Sequence, residues 1–139
     1  MFKRLSGKVS KFLFSGVSFL LTLALGTAVA HANVGYNGQP WSQCVNQRVA
    51  TSRAIYSGSR YMGTVTLYRC NNGFFTRTAS AVGAANVTAE TRQNRGGYIQ
   101  AVSQWGYATI SNMVPAMPGF CFTGTGIING AGGSVTYCI

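Results

Sequence analysis

Apolar and polar residues alternate with a period of two along much of the chain after position 44, the pattern of half-buried β-strands. The clearest case is residues 61–69, in which Val65 and Leu67 fall on one face while Thr64 and Thr66 fall on the other. Tyr68 shares the threonine face. We therefore predict a strand that buries its two aliphatic side chains and exposes the rest.

Other segments with strand-like composition are separated by turn residues about every eight to twelve positions. The further predicted strands are 45–56, 74–82, 86–92, 98–102, 105–113 and both arms of a C-terminal hairpin. A helix competes with a strand in the first of these, since Val45, Val49 and Ser52 also fit helical spacing. The pattern indicates an all-β fold, a small antiparallel β-sandwich or barrel.

Asn129-Gly130 predicts the tip of the C-terminal hairpin, because a type I′ turn needs positive φ at both central residues. With these residues at the tip, Cys121 lies opposite Cys138 and Phe122 lies opposite Tyr137. The two cysteines fall on a non-hydrogen-bonded pair, where antiparallel strands come closest. We therefore predict a cross-strand disulfide on one face and large apolar side chains on the other.

The chain has four cysteines, which permit three disulfide pairings. The remaining two, Cys44 and Cys70, are symmetric about Ser57, which lies in a predicted hairpin loop at 56–60. We favour a framework of two disulfides, Cys44–Cys70 and Cys121–Cys138. Such a framework in a short chain is typical of exported proteins.

The N-terminus has the composition of a signal peptide, predicted to span 1–32. A basic start is followed by an apolar segment, 12–25, and by small residues that end at Ala32. We place cleavage after Ala32, with cleavage after Ala30 as the alternative; an uncleaved signal anchor is the competing interpretation. The prediction is one secreted domain, 33–139, with no membrane span once the signal is removed.

Cleavage changes the chemistry of the chain, because every lysine and the single histidine precede residue 33. The secreted part then has one acidic side chain, Glu90. Acid–base catalysis needs groups that titrate near the working pH, and metal sites need histidine, thiolate or carboxylate ligands. We therefore predict that the protein is not an enzyme and has no catalytic residue, metal site or cofactor.

Seven arginines remain beside Glu90, which gives a net charge of +6. Arginine binds carboxylate and phosphate groups bidentately and stacks on aromatic rings. The candidate ligand-binding residues are Arg48, Arg60, Tyr68, Arg69, Arg77, Arg92, Arg95 and Trp105. We expect Arg48, Arg60 and Tyr68 to share one face of the first hairpin, and the arginines near turns 71–73 and 94–97 to form a basic rim. A solvated surface that maintains solubility is the competing interpretation.

The largest aromatic residues have two interpretations. Trp41 and the segment Trp105-Gly106-Tyr107 form either a platform for sugar rings or part of the core. Because large aromatic side chains are mostly buried in sandwiches, we favour the core.

Taken together, these features predict a secreted, non-catalytic protein that recognises an anionic extracellular polymer or the cell envelope. The alternative is a bacteriocin-like toxin or membrane-active effector, suggested by small size, positive charge and the uncharged, glycine-rich segment 96–139. A third interpretation is a protease-inhibitor-like module that docks through segment 113–118.

The central part of the chain resembles the YjfA-like family of secreted bacterial domains of unknown function. The matching residues are Ala50-Thr51, Gly63-Thr64-Val65-Thr66-Leu67, Cys70 and Phe75, within a stretch of about thirty residues. The resemblance implies a small exported β domain and brings no catalytic residue with it.

Overall fold

The computed structural model describes residues 29–31, 38–95 and 97–139, with backbone only for the first of these ranges. A short 3-10 helix, Trp41–Gln43, precedes most of the strands. The strands in the described ranges are β1 (Val29–His31), β2 (Arg48–Ser57), β3 (Arg60–Cys70), β4 (Gly73–Ser80), β5 (Ala85–Gln93), β6 (Ile99–Gly106), β7 (Ala108–Ile110), β8 (Cys121–Ile128) and β9 (Ala131–Cys138).

The strands form two antiparallel sheets packed face to face. The five-stranded sheet has the order β9-β8-β5-β6-β1 and the four-stranded sheet has the order β2-β3-β4-β7. The core between them is made of these residues: Ile55, Met62, Val65, Leu67, Phe74, Ala85, Val87, Val114, Phe122, Ile128 and Val135. The predicted all-β sandwich with two disulfides is confirmed, and the described strands do not close into a barrel.

Period-two alternation identified the buried face of the central strands correctly. In β5 the odd-numbered residues are buried while the even-numbered ones are partly or fully exposed. In β3, Val65 and Leu67 are fully buried, whereas Thr64, Thr66 and Tyr68 are only partly buried on the opposite face.

Strand β4 is buried on both faces because its neighbouring phenylalanines point to opposite sides. Phe74 stacks on Phe122 in the core between the sheets, with ring centroids 4.0 Å apart. Phe75 faces the outside of the four-stranded sheet, where it stacks on Tyr68 at 4.8 Å and meets Trp41 at 6.0 Å. The segment that contains the 3-10 helix therefore covers a second, smaller apolar cluster.

The C-terminal hairpin has the predicted register. Asn129 and Gly130 have positive φ angles of 48° and 86° at the tip. Phe122 pairs with Tyr137, and Cys121 pairs with Cys138 and is disulfide-bonded to it. Phe122 and Tyr137 pack into the core, so the apolar and sulfur-bearing faces are those expected.

The Cys44–Cys70 disulfide is also present, but the hairpin symmetry used to predict it is wrong. The turn of the β2–β3 hairpin is at Gly58-Ser59, and Ser57 pairs with Arg60 rather than lying at the centre. Cys44 precedes β2 altogether. The bond is therefore a brace between the covering segment and the end of β3, not a link across paired strands.

Two boundary predictions in the second half are wrong. Residues 98–102 and 105–113 do not form two equal strands: β6 continues to Gly106, and only Ala108–Ile110 follow as a strand. Met113 and Val114 instead make isolated bridges.

The predicted signal peptide lies outside the described residues except for β1. This strand pairs antiparallel with the edge of β6, with Val29 opposite Ser103. The predicted cleavage after Ala32 falls just beyond it.

Candidate functional site

Arginines near the two disulfides are held by the protein itself. Arg69 donates a hydrogen bond to the Tyr137 hydroxyl at 3.2 Å, which joins the two sheets. Arg95 donates to the Gly119 carbonyl at 2.9 Å and lies over the Phe120 ring, 4.8 Å from its centroid. These guanidinium groups brace the domain and are only partly available to a ligand.

The expected grouping of Arg48, Arg60 and Tyr68 is wrong. Arg48 pairs with Arg69 at one end of the hairpin, and Arg60 pairs with Ser57 beside the turn at the other end. Nine residue steps of about 3.3 Å each separate Arg60 from Arg69, or roughly 30 Å. Arg48 also donates to the carbonyl of a neighbouring loop residue at 2.7 Å. Of the arginines predicted to form a basic rim, Arg69, Arg92 and Arg95 have partners within the protein, whereas Arg77 has none among the described residues.

Arg92 and Trp105 lie on the outer face of the five-stranded sheet. Arg92 forms an ion pair with Glu90 at 3.4 Å, and Trp105 pairs with Asn86 in the neighbouring strand. Trp105 is 56% exposed and Trp41 is 41% exposed, so the favoured core assignment is wrong. Because Trp41 covers the other sheet, the two tryptophans do not form one platform.

The outer face of the four-stranded sheet brings together aromatic, hydroxyl and cationic side chains. We call this surface the tyrosine–arginine face and define it by its residues: Tyr56, Tyr61, Thr64, Thr66, Tyr68 and Arg77. Along β3 it extends over seven residue steps, or about 23 Å. It is therefore long enough for several units of an extended polymer.

Arg77 lies at the centre of the tyrosine–arginine face. It pairs with Thr66 of β3 and Ile110 of β7, so Tyr68 is its diagonal neighbour, about 7–8 Å away. Arg77 is exposed and makes no side-chain hydrogen bond or ion pair within the part of the chain that the structure describes. Its guanidinium is available to an external anion.

A pair of tyrosines occupies the turn end of the same face. Tyr56 pairs with Tyr61, their ring centroids are 5.8 Å apart, and both side chains are about half exposed. The Tyr61 hydroxyl hydrogen-bonds to Thr64 at 2.8 Å, which fixes the ring against the strand. Tyr56 and Tyr61 were not among the predicted site residues, because a hairpin centred on Ser57 does not pair them, whereas the turn at Gly58-Ser59 places them opposite each other.

The tyrosine–arginine face carries positive charge and no acidic side chain. Glu90 is the only acidic side chain in the chain, and it lies on the outer face of the other sheet beside Arg92. No carboxylate side chain therefore competes with a ligand for Arg77.

The docking loop expected at 113–118 is not displayed. Met113 and Val114 are fully buried, and the Val114 backbone exchanges two hydrogen bonds of 2.9 Å with Phe74. Residues 115–117 are half-buried and only Pro118 is exposed, so most of the segment does not present the exposed conformation that a protease inhibitor needs.

Two properties of the described ranges concern metal binding and membrane spanning. No group of three or more His, Cys, Asp or Glu side chains is arranged to hold a metal ion there. No helix in those ranges has the length and apolar character required to cross a bilayer.

Comparisons with protein families, with curated proteins and with solved structures found no match. The resemblance to the YjfA-like family stays a prediction.

Proposed function

We propose that this protein is a secreted, non-catalytic binding protein that recognises an anionic extracellular or cell-envelope polymer through its tyrosine–arginine face. The observation that carries the proposal is Arg77, an exposed guanidinium without an internal partner in the described residues. It is surrounded by hydroxyl and aromatic side chains on a flat strand surface. Hydrogen bonds to a charged ligand group at such a site contribute about 1.5–3 kcal/mol.

The distribution of arginines supports a specific face rather than a uniformly basic surface. Arg69, Arg92 and Arg95 have partners within the protein, whereas Arg60 and Arg77 have no side-chain partner in the described residues. These two arginines belong to the same sheet. Arg60 lies beside the turn of the β2–β3 hairpin, and Arg77 lies in β4, an inner strand of the sheet.

Export is the second half of the proposal. Two disulfides in a small domain are typical of an oxidising compartment, and the N-terminal composition is that of a signal peptide. The intact mass of protein recovered from culture medium tests this half. We expect a mass that corresponds to a chain beginning at residue 33, with both disulfides formed; a chain that retains its first 32 residues would contradict export by cleavage.

A salt series on immobilised anionic polymers tests the binding half. We expect the wild-type protein to bind a polyuronate, a teichoic acid or polyphosphate with an affinity that falls as salt rises, because exposed charges are screened. Arg77→Gln should weaken that binding about tenfold, the loss of one charge-assisted contact.

Arg92→Gln is the matched control, because it removes the same charge from the other sheet. It should change the affinity less than twofold. Binding that is indifferent to salt would contradict the proposal. So would equal losses from the two substitutions, which would indicate an effect of total charge instead of a defined face.

A further inference from the structure

A groove lies where the edge of one sheet meets the edge of the other. It has a volume of about 330 Å³ and is lined by Arg53, Ala54, Tyr56, Gly132 and Gly133. Ligand pockets generally measure about 300–1,000 Å³, so this groove fits one small unit and not a long segment. None of the site residues predicted from the sequence lines it.

Two glycines form the floor of the groove and have different packing. A Cβ on Gly133 would lie 3.1 Å from the Ile55 side chain, so this glycine lets β9 approach β2. A Cβ on Gly132 would meet nothing closer than 3.8 Å. The space above Gly132 is therefore open to a ligand, and a larger side chain at this position would fill it without displacing the protein.

The backbone of Gly132 is available to a ligand. Ile128 and Ala131 flank the two-residue turn and form a hydrogen-bonded pair, so the next pair, Ile127 and Gly132, is not hydrogen-bonded. The amide and carbonyl of Gly132 consequently point away from β8 toward the groove. One backbone donor and one backbone acceptor of Gly132 thus face the groove.

Arg53 supplies the charge of the groove. Its Nη1 donates one hydrogen bond of 3.4 Å, at the limit of a bond, to the Ser134 carbonyl of β9. The guanidinium has five N–H donors in a planar fork, so most of them remain for a ligand. The fork matches the two oxygens of a carboxylate.

The aromatic wall points to a ligand larger than an ion. The Tyr56 side chain is 55% exposed and forms part of the lining. A bare phosphate or carboxylate held by Arg53 would leave this wall unused, whereas a ring attached to the anionic group would cover it. The lining contains only one cation, which suits a singly charged group.

We propose that this groove binds one uronic-acid unit of an acidic polysaccharide, with its carboxylate on Arg53 and the Gly132 amide and its ring against Tyr56. The inference rests on the proposed function for the choice of a polymeric ligand, but the groove is a second subsite that shares only Tyr56 with the tyrosine–arginine face. The Cα atoms of Arg53 and Arg77 are two strand spacings and one residue apart, or about 10 Å, and their strand partners Val65 and Thr66 face opposite sides of the sheet, so the two charges are not side by side. Such sparse cations suit a polymer with one charge per sugar repeat better than a nucleic acid, whose duplex carries a charge about every 1.7 Å.

The test is titration of the mature protein with D-glucuronate, observed through backbone amide resonances. We expect saturable shifts at Gly132 and Gly133. D-glucose, which lacks the carboxylate, should give none, and inorganic phosphate should give shifts at least tenfold weaker. Equal shifts from phosphate would overturn the assignment to a sugar acid, and the absence of saturable shifts at these two amides would overturn the site.

Three variants separate binding from folding. Arg53→Gln should weaken glucuronate binding at least tenfold, and Gly132→Val should abolish it while the spectrum stays folded. Arg92→Gln, a charge-matched change on the other sheet, should leave it unchanged. A wild-type response in the Arg53 or Gly132 variant would overturn the inference.

Each of the two proposals can be contradicted while the other stands. If Arg77→Gln weakens polymer binding but Arg53→Gln does not, the groove is not a subsite and the proposed function survives. If glucuronate binds the groove but no acidic polymer binds the protein, the subsite survives and the proposed function does not.

Discussion

At the residue scale, the glycines of β8 make room for side chains from the opposite sheet. Gly124 and Gly126 face the interior, where a Cβ on the first would lie 2.7 Å from the Thr76 hydroxyl. These two glycines of the C-terminal half are therefore explained by close packing between the sheets. This packing gives no support to the membrane-active alternative, which stays a prediction.

Gly126→Ala should destabilise the fold. The new methyl group would lie 2.6 Å from the Thr78 hydroxyl and 2.8 Å from the Val65 Cβ, and overpacking of this kind costs about 1–3 kcal/mol. Gly132→Ala is the control on the same hairpin, because its methyl group meets nothing closer than 3.8 Å. In urea unfolding, the stability of the control should equal that of wild type or slightly exceed it. Equal stability of the two variants would contradict the packing described for β8.

The core also holds a buried hydroxyl network. Thr91 Oγ1 lies 2.7 Å from Thr76 Oγ1 and 2.8 Å from Ser111 Oγ, and the latter accepts a hydrogen bond of 3.1 Å from the Thr76 amide. These contacts join β4 and β5 across the sandwich.

Thr91→Val should cost about 1–3 kcal/mol in urea unfolding, because it leaves the buried Thr76 hydroxyl without a partner. Thr88→Val, which makes the same change on the outer face of β5, should cost less than 1 kcal/mol. Its hydroxyl bonds to Ser103 in a partly buried position, where water can replace the lost contact. If the Thr91 variant is as stable as the Thr88 variant, the hydroxyl network makes no net contribution to the free energy of unfolding.

At the element scale, some features follow from local sequence and others depend on distant pairing. The type I′ turn at Asn129-Gly130 sets the register of β8 and β9, so that disulfide could be predicted. The β2–β3 hairpin contains two register irregularities, between Val49 and Thr51 and between Ile55 and Tyr56. Alternation alone does not reveal such bulges, but the first hairpin and its arginines were misplaced because the hairpin was centred on Ser57, whereas its turn is at Gly58-Ser59 and Cys44 lies outside the strand.

The segment around Cys44 is held by one disulfide, the Asn72 side chain and a backbone hydrogen bond from Asn71. The Asn72 amide group accepts from the Val45 backbone N–H and donates to the Gln43 carbonyl, both at 3.0 Å. The Asn71 N–H donates to the Val45 carbonyl at 2.8 Å. The disulfide to Cys70 therefore closes a segment that few other contacts hold over Phe75.

Replacing both Cys44 and Cys70 with alanine should lower stability by about 3–4 kcal/mol in the chain-entropy model. It should also speed hydrogen exchange at the Val45 and Asn71 amides under conditions where the domain stays folded, because the segment loses its brace. Alanine at both Cys121 and Cys138 costs about 3 kcal/mol by the same model but should leave those two amides unchanged. The same exchange rates in both double variants would contradict the bracing role.

At the scale of the whole molecule, the fold class and the Cys121–Cys138 disulfide could be predicted because they depend on composition and short-range pattern, whereas the hairpin symmetry used for Cys44–Cys70 was wrong. The site could be predicted only in part. Tyr68 and Arg77 were identified and lie on one face, but Arg53, Tyr56 and Tyr61 were not. Their proximity depends on the order of strands and on the approach of β2 to β9, which no short window of sequence contains.

The arginine side-chain spectrum of the mature protein, recorded during titration with an acidic polysaccharide, tests the central claim most directly. Each of the seven arginines contributes its own Nε–Hε resonance. The account predicts that Arg77 and Arg53 shift, that both shifts weaken with added salt, and that Arg69, Arg92 and Arg95 stay in place. Shifts confined to those last three, or spread equally over all seven, would contradict binding at the tyrosine–arginine face.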